Sequence, residues 1–269
     1  MASRMHKEPE ALITRKETWQ DYCLLEFQAE KMAAEAQPGQ FVMVRPSDNL
    51  HPLLRRPISI HWVSDGRVEI YFQQAGVGTR LLAQKKKGGT LDILGPLGKG
   101  FSLNELLREK PVALVGGGRG IAPLYFLARK LHSLGSLPRI FYGGRTMKDI
   151  PLREKFRQEK FDIYLSTDDG SLGYKGLVTD IFRRSLNDFS PAHIFGCGPE
   201  AMMRELSRIA HEQNIPAEFS LESIMGCGFG ACWGCVRKFS NGSDEEWTKI
   251  CEEGPVFPAE KIIWREEKG

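Results

Sequence analysis

The sequence predicts a β-barrel plus α/β fold: an antiparallel barrel, a parallel-sheet domain with glycine turns, and a small cysteine-rich module at the C-terminal end. Three observations predict it. The first hundred residues carry short runs of β-forming residues, punctuated by Gly and Pro, at the spacing of a small antiparallel barrel. From about residue 105, apolar strand-like runs alternate with helical stretches, which is the signature of a parallel sheet. After Glu218 the chain turns rich in Gly and Cys. At 269 residues the chain is long enough for two domains and a small third unit. The expected boundaries are 1–104, 105–220 and 221–269.

Each element has its own local reason. Residues 22–27 and 40–44 are β-rich, with Pro38-Gly39 as punctuation between them. Residues 58–63 and 68–72 flank Ser64-Asp65-Gly66-Arg67 and read as a hairpin. Residues 91–94 form another strand, expected to end at Gly95-Pro96, and Lys85-Lys86-Lys87 reads as a solvated turn. Gly76-Val77-Gly78-Thr79 opens a short helix over 79–83. Pro111 leads into the apolar run 112–115, then Gly116-Gly117-Gly118-Arg119-Gly120, then a helix over 122–134 with Pro123 in its tolerant first turn. Strands follow at 139–142, 162–165 and 193–195, with helices at 152–158 and 178–184. Pro199 opens a further helix with Met202, Leu206, Ile209 and Ala210 on one face.

Composition narrows the function. The chain is 41% hydrophobic and 26% charged, as an ordinary globular protein is, which excludes a disordered tail. A net charge of +3 does not suggest a nucleic-acid coat. No apolar run approaches the roughly 18 residues of a membrane span, and no secretory signal is visible over residues 1–10. The expectation is a cytoplasmic, reducing setting with no nucleic-acid or membrane partner. There, six cysteines read as metal ligands or buried thiols rather than disulfides.

Four of them carry the strongest signal. Cys227, Cys232, Cys235 and Cys251 are spaced C-x4-C-x2-C-x15-C. Zinc ribbons usually pair two C-x2-C knuckles. Three ligands in one loop and one distant ligand is the spacing of plant-type 2Fe-2S sites. Gly226, Gly228, Gly230 and Gly234 interleave the thiols, so the backbone can wrap closely and aim N–H groups at sulfur. A zinc staple on the same four thiolates is the alternative.

The turn Gly116-Gly117-Gly118-Arg119-Gly120-Ile121-Ala122-Pro123 joins a strand to a helix, where bare N–H groups attract a pyrophosphate. It departs from G-x-G-x-x-G, since Pro123 replaces the third Gly, and no acidic ribose partner is evident near Gly143-Gly144-Arg145. Gly196-Cys197-Gly198-Pro199 is a second such turn in the same sheet. Both would gather at the carboxyl edge, where open α/β sheets bind ligands. Cys197 reads equally as a small buried thiol or as a neighbour of a nicotinamide ring. Asp168-Asp169-Gly170 reads as a surface turn unless it touches ribose. Arg55-Arg56-Pro57-Ile58-Ser59 places a guanidinium suited to phosphate beside a hydroxyl.

Together, Arg56-Pro57-Ile58-Ser59, Gly76-Val77-Gly78-Thr79, the Gly-Gly-x-Gly-x-x-Pro turn at 117–123 and Cys197-Gly198-Pro199 resemble the ferredoxin reductase superfamily. Those proteins join a flavin-binding barrel to a pyridine-nucleotide domain. The segment from Leu221-Glu222-Ser223-Ile224-Met225 through Cys235, then Cys251-Glu252-Glu253-Gly254-Pro255, is more specific. With Ser166-Thr167-Asp168-Asp169-Gly170-Ser171 and Gly176-Leu177-Val178-Thr179-Asp180, it is similar to the electron-transfer subunits of B-type, NAD-linked dihydroorotate dehydrogenases. The resemblance covers roughly residues 10–265 by motif placement. It implies FAD on Arg56, Pro57, Ile58, Ser59, Tyr71, Phe72, Gln73, Gly78 and Thr79. It implies NAD(H) at Gly116, Gly117, Gly118, Gly120, Pro123, Gly196, Cys197, Gly198 and Pro199. It also implies a 2Fe-2S cluster on the four cysteines, and a partner subunit that holds FMN and oxidises dihydroorotate, as a heterotetramer with two of each subunit. Arg119 departs from the pattern, since relatives often have a small or apolar residue there. It could reach a phosphate, which leaves NAD against NADP open.

Electron counting gives the expected mechanism. A nicotinamide moves a hydride, a cluster takes one electron, and a flavin does both, so FAD must stand between them. No hydrolytic triad is required, and the six histidines show no ligand spacing. A related hydrogenase or ferredoxin–NADP reductase subunit would share this redox core, and a zinc-stapled binding protein would not. Ile224, Phe229 and Trp233 are candidates for an apolar partner surface, or for burial against the barrel.

Overall fold

The computed structural model of the chain describes residues 5–242 and 244–264. Its first part builds six strands: β1 (His6–Trp19), β2 (Tyr22–Gln28), β3 (Phe41–Val44), β4 (Arg56–Ser64), β5 (Arg67–Gln73) and β6 (Thr90–Leu97). Two helices interrupt them, α1 (Glu30–Glu35) and α2 (Val77–Gln84). The strands close in the order β1-β2-β5-β4-β3-β6 with antiparallel pairing throughout. Strand period 2 fills the inside: Ile58 and Ile60 from β4, Val68, Ile70 and Phe72 from β5, and Leu91 and Ile93 from β6 are all buried. The hairpin at 64–67 is as read, with Ser64 paired to Arg67 and both Asp65 and Gly66 at positive φ, the backbone a two-residue turn demands.

Two expectations need correction. The sequence reading has no strand before residue 22, yet β1 runs 14 residues. Only Ala11 and Ile13 of β1 are buried. Its ladders to β2 and β6 hold it, rather than an apolar pattern. The last barrel strand continues past Gly95-Pro96 to Leu97. Leu97 pairs with Phe41 and Leu94 with Met43, so Gly95 and Pro96 form a bulge where the missing N–H of proline costs no ladder bond.

The second part alternates β7 (Pro111–Gly117), α3 (Ala122–Ser133), β8 (Leu137–Gly144), α4 (Arg153–Gln158), β9 (Asp162–Thr167), β10 (Tyr174–Lys175), α5 (Val178–Ser185), β11 (Ile194–Cys197), α6 (Glu200–Glu212) and β12 (Ala217–Ser220). The tail adds a hairpin of β13 (Val236–Asn241) and β14 (Asp244–Lys249), then α7 (Ile250–Glu253) and β15 (Val256–Pro258). The sheet order is β10-β9-β8-β7-β11-β12-β15, parallel except for the β12–β15 pair. The chain moves outward from β7 through β8, β9 and β10, then returns to β11 on the other side of β7. That reversal is a switch point, where such sheets open a crevice for ligands. On α6 the buried residues are Met203, Leu206, Ile209 and Ala210, and Met202, read from the sequence as part of that face, is only half-buried and lines the crevice beside Met203.

The three parts share cores. Phe126 of α3 packs in one cluster with the barrel core and meets Trp62 edge-on at 5.3 Å. Phe41, Met43 and Leu97 of the barrel pack in one cluster with Met225, Cys235, Phe239, Cys251 and Phe257 of the tail. No helix among the described residues is long and apolar enough to cross a membrane.

Candidate functional site

β7 and β11 are neighbours, with Cys197 opposite Gly116, so the glycine turns that follow them lie side by side. Their contact is backbone on backbone: a Cβ at Gly120 would stand 2.3 Å from Cys197 O and 2.7 Å from Gly198 Cα. Gly117, Gly118, Gly198 and Pro199 face a cleft of about 840 Å³. Gly116, Gly120, Pro123 and Gly196 lie one layer behind its lining, where they serve packing. A Cβ at Gly116 would meet Ile121, and one at Gly196 would meet Phe219. The far wall contains residues that sequence reasoning did not place there: Gly143 and Gly144 at the end of β8, Arg145 just after it, Asp168 after β9, and Thr179 at the start of α5. Their signal is their position at the carboxyl ends of neighbouring strands, which needs the strand order. Asp168 lines the cleft from this exposed turn, while Asp169 is spent inside the turn on Ser171.

A second cavity of about 260 Å³ opens beside it. Pro57, Ile58, Ser59, Tyr71, Phe72, Gln73 and Thr79 supply its barrel side. Ala122, Cys197, Ser220 and Met225 supply the rest, and Gln73, Arg119, Leu221 and Glu222 line both cavities. Arg56 and Gly78 adjoin it as a pair. A Cβ on Gly78 would lie 2.4 Å from Arg56 Nε, so glycine there makes room for the guanidinium. Thr79 Oγ1 accepts from Gly76 N at 3.1 Å and closes the start of α2. Tyr71 stacks on Tyr22 at 5.5 Å, the two rings nearly parallel. Its hydroxyl lies near that of Tyr142 without closing a hydrogen bond, and burial holds the phenol far above its ordinary range. An apolar shelf with an adjacent guanidinium and a cradle only glycine permits fits a flavin nucleotide.

Cys197 is buried yet lines this cavity. Burial, then the Glu222 carboxylate, push its thiol up to about 12, so it stays protonated. Arg119 does not stand free for a phosphate. It forms a two-pronged pair with Glu222, Nη2 to Oε2 at 2.7 Å and Nε to Oε1 at 3.2 Å, at the junction of the two cavities.

The cysteine loop follows directly. Cys232 N donates to Cys227 Sγ at 3.4 Å, and Cys251 N donates to Cys235 Sγ at 3.4 Å. Gly230 N donates to Cys251 Sγ at 3.2 Å. Gly228 and Gly230 take φ of 87° and 86°, and Gly228 presses on Met43 of β3. Burial raises the Cys227 thiol, but N–H groups of Phe229, Cys232 and Ala231 overcome it and bring the group down to about 7. Cys251 is pushed up to about 12 by burial and then by Cys235. Among the described residues, no three Cys, His, Asp or Glu are grouped around a single metal ion. The backbone bonds join Cys227 with Cys232 and Cys235 with Cys251, two thiols for each of two irons, and this donor set fits a 2Fe-2S cluster. Ile224, Phe229 and Trp233 are exposed, at 88%, 47% and 59%, so burial against the barrel does not explain them.

Comparison with known proteins bears on both regions. Residues 222–263 match the iron-sulfur cluster binding domain of dihydroorotate dehydrogenase B, and residues 114–208 match the oxidoreductase NAD-binding domain. The dihydroorotate dehydrogenase B (NAD(+)) electron transfer subunit of Desulforamulus reducens is 41% identical over 242 residues, which is 89% of this chain and 92% of that one. Its counterpart in Bacillus cereus is 38% identical over 262 residues, 96% and 99% of the two chains. Among solved structures, NADH-dependent reduced ferredoxin-NADP oxidoreductase superposes with a TM-score of 0.83 at 28% identity, over 96% of this chain and 91% of that one. The cytochrome b5 reductase domain of Ulva prolifera nitrate reductase, at 18% identity and a TM-score of 0.62 over 79% and 94%, shares the fold. A nucleotide-type cleft, a barrel cavity and a four-thiol loop thus occur in one chain that matches its relatives almost end to end, and the chain belongs to the family of electron transfer subunits of NAD(+)-dependent dihydroorotate dehydrogenase B.

Proposed function

We propose that this chain carries electrons released by dihydroorotate oxidation, at an FMN of the catalytic partner subunit, to NAD+ by way of a 2Fe-2S cluster and an FAD. The observation that carries this reading is the position of the barrel cavity. It shares Gln73, Arg119, Leu221 and Glu222 with the nucleotide cleft, and the 221–225 segment on its wall runs into Cys227. A flavin bound there supplies the exchange between hydride and single-electron transfer.

The protein's own residues bind and position. Gly117, Gly118 and Gly198 allow close approach of a pyrophosphate to the backbone, and Arg145 and Asp168 stand at the far wall to meet a ribose. Arg56 and Gly78 hold flavin phosphate, and Pro57, Ile58, Ser59, Tyr71, Phe72, Gln73 and Thr79 frame the rest. Cys197 stays a neutral thiol and packs where the two ligands meet. Cys227, Cys232, Cys235 and Cys251 ligate the irons. The units are 1–104 for FAD, 105–220 for NAD(H) and 221–269 for the cluster, the last lending β15 to the sheet of the second. Exposed Phe229 and Trp233 beside the ligands form the face toward the partner, in a cytoplasmic assembly of two chains of each kind.

An orotate assay on the chain alone and on the reconstituted pair tests the reading. The chain alone should reduce artificial acceptors with NADH and make no orotate, because dihydroorotate oxidation takes a base poised at the substrate and a second flavin, which this reading places on the partner. The pair should make orotate with NAD+. Orotate from the chain alone, or none from the pair, overturns it. The likeness to the ferredoxin-NADP oxidoreductase favours a second reading, a reductase subunit of another complex, and activity with ferredoxin but not with the dihydroorotate-oxidising subunit would select it.

A further inference from the structure

Lys249 ends β14, two residues before Cys251. Its ammonium donates to Gly230 O at 3.2 Å, pairs with Glu252, and lies 4.8 Å from the centre of the Trp233 ring. Gly230 is the hub of the cysteine loop. Its N–H donates to Cys251 Sγ, and its carbonyl belongs to the peptide whose other end is the Ala231 N–H, one of the amides drawn to Cys227. A cation on the carbonyl end of a peptide polarises that peptide and makes the N–H at the other end a stronger donor. The Glu252 carboxylate stands against the same residue: a Cβ on Gly230 would lie 2.6 Å from its Oε2. One positive and one negative charge therefore bear on Gly230, whose own N–H serves Cys251 and whose carbonyl shares a peptide with the Ala231 N–H on the Cys227 side.

Reduction adds one electron to an iron–sulfur cluster, and hydrogen bonds and charges beside the sulfurs set how readily it is accepted. We propose that Lys249 is a positioning residue that holds the cluster potential up through the Gly230–Ala231 peptide, with Glu252 as its counterweight. The proposal rests on Cys227, Cys232, Cys235 and Cys251 being the ligands. The Lys249 side chain is 21% exposed, so solvent screens its field only in part.

The test is a redox titration of the cluster-loaded full chain, followed by the spin-resonance signal of the reduced cluster. Iron content and that signal are read first in the unmodified chain, and their absence would sink the ligand assignment together with the role of Lys249. Lys249→Met should lower the reduced-to-oxidised ratio at a fixed potential on the order of tenfold, which is about 59 mV for a one-electron couple. Lys249→Arg should stay near the unmodified value, and Glu252→Gln should shift the other way. An unchanged potential in Lys249→Met and Glu252→Gln with iron intact overturns the proposal. If Lys249→Met holds no iron, Glu252→Gln decides: an upward shift supports the role, and a downward or absent shift overturns it.

Discussion

His61 sits in an environment that opposes its usual chemistry. It is fully buried, its Nδ1 donates to Ala122 O at 2.9 Å, its Nε2 has no partner, and its ring stacks on Tyr125 at 4.6 Å. Burial first, then the nearby Lys155, lower it to about 3, against the weaker opposing pull of Ala122. The unfolded chain binds a proton near pH 6.5, and the folded chain refuses it until about pH 3. The stability His61 contributes is therefore present in full above pH 6.5 and lost as the pH falls toward 3. Between pH 7 and pH 5 that loss is about 2 kcal/mol. His61→Phe should remove it in urea unfolding at the two pH values, while His193, also lowered by burial, stays in both proteins and cancels in the comparison. An equal pH loss in variant and parent would show that His61 is charged when folded. Gly78 makes the second residue-scale case. Gly78→Ala brings a methyl to 2.4 Å from Arg56 Nε, and the flexible guanidinium must move aside. Folding should change little, while FAD retention on dialysis should weaken by about tenfold or more, the worth of a charged hydrogen bond. Unchanged retention would separate Arg56 from the flavin.

At the scale of elements, the two glycine turns act as one unit because each leaves no room for the other to change. Gly120→Ala sets a methyl against the carbonyl of Cys197 and the backbone of Gly198, neither of which can swing away. The turns after β7 and β11 must part. The expected cost is about 1–3 kcal/mol of stability, with a several-fold rise in the NADH dissociation constant, read by thermal melting and by fluorescence titration. A destabilised variant that binds NADH as the parent does would show that the packing of the turns and the shape of the cleft are independent. Apart from the two-residue β10, the strand and helix run from β7 to α6 was legible because apolar runs, glycine turns and helical periodicity agree there. β1 was not, since a barrel-closing strand needs only Ala11 and Ile13 inside and draws the rest of its stability from ladders.

The whole molecule depends on its last fifty residues more than a separate module would suggest. β15 pairs with β12, Gly254 O accepts from Lys99 N, and the tilted rings of Phe257 and Phe239 meet at 4.2 Å inside the shared core. A chain ending at residue 220 leaves β12 as an open edge and uncovers Phe41, Met43, Leu97 and Phe219. It should aggregate or melt far below the full chain in calorimetry. A cooperatively folded, NADH-binding fragment would instead make 221–269 an appended unit.

The sequence by itself determined the three-part architecture, the four thiols and the two glycine turns, because ligand spacing, turn chemistry and periodicity are local and survive in one dimension. Only the tertiary structure decided that Arg119 is held by Glu222 and that Arg145 and Asp168 face Gly117 and Gly198. It alone decided that Met203 rather than Met202 is the buried methionine of α6, and that Lys249 reaches the loop of Cys227 through Gly230. These contacts join residues from separate strands and turns, and their partners are set by strand order and packing, which no local pattern encodes.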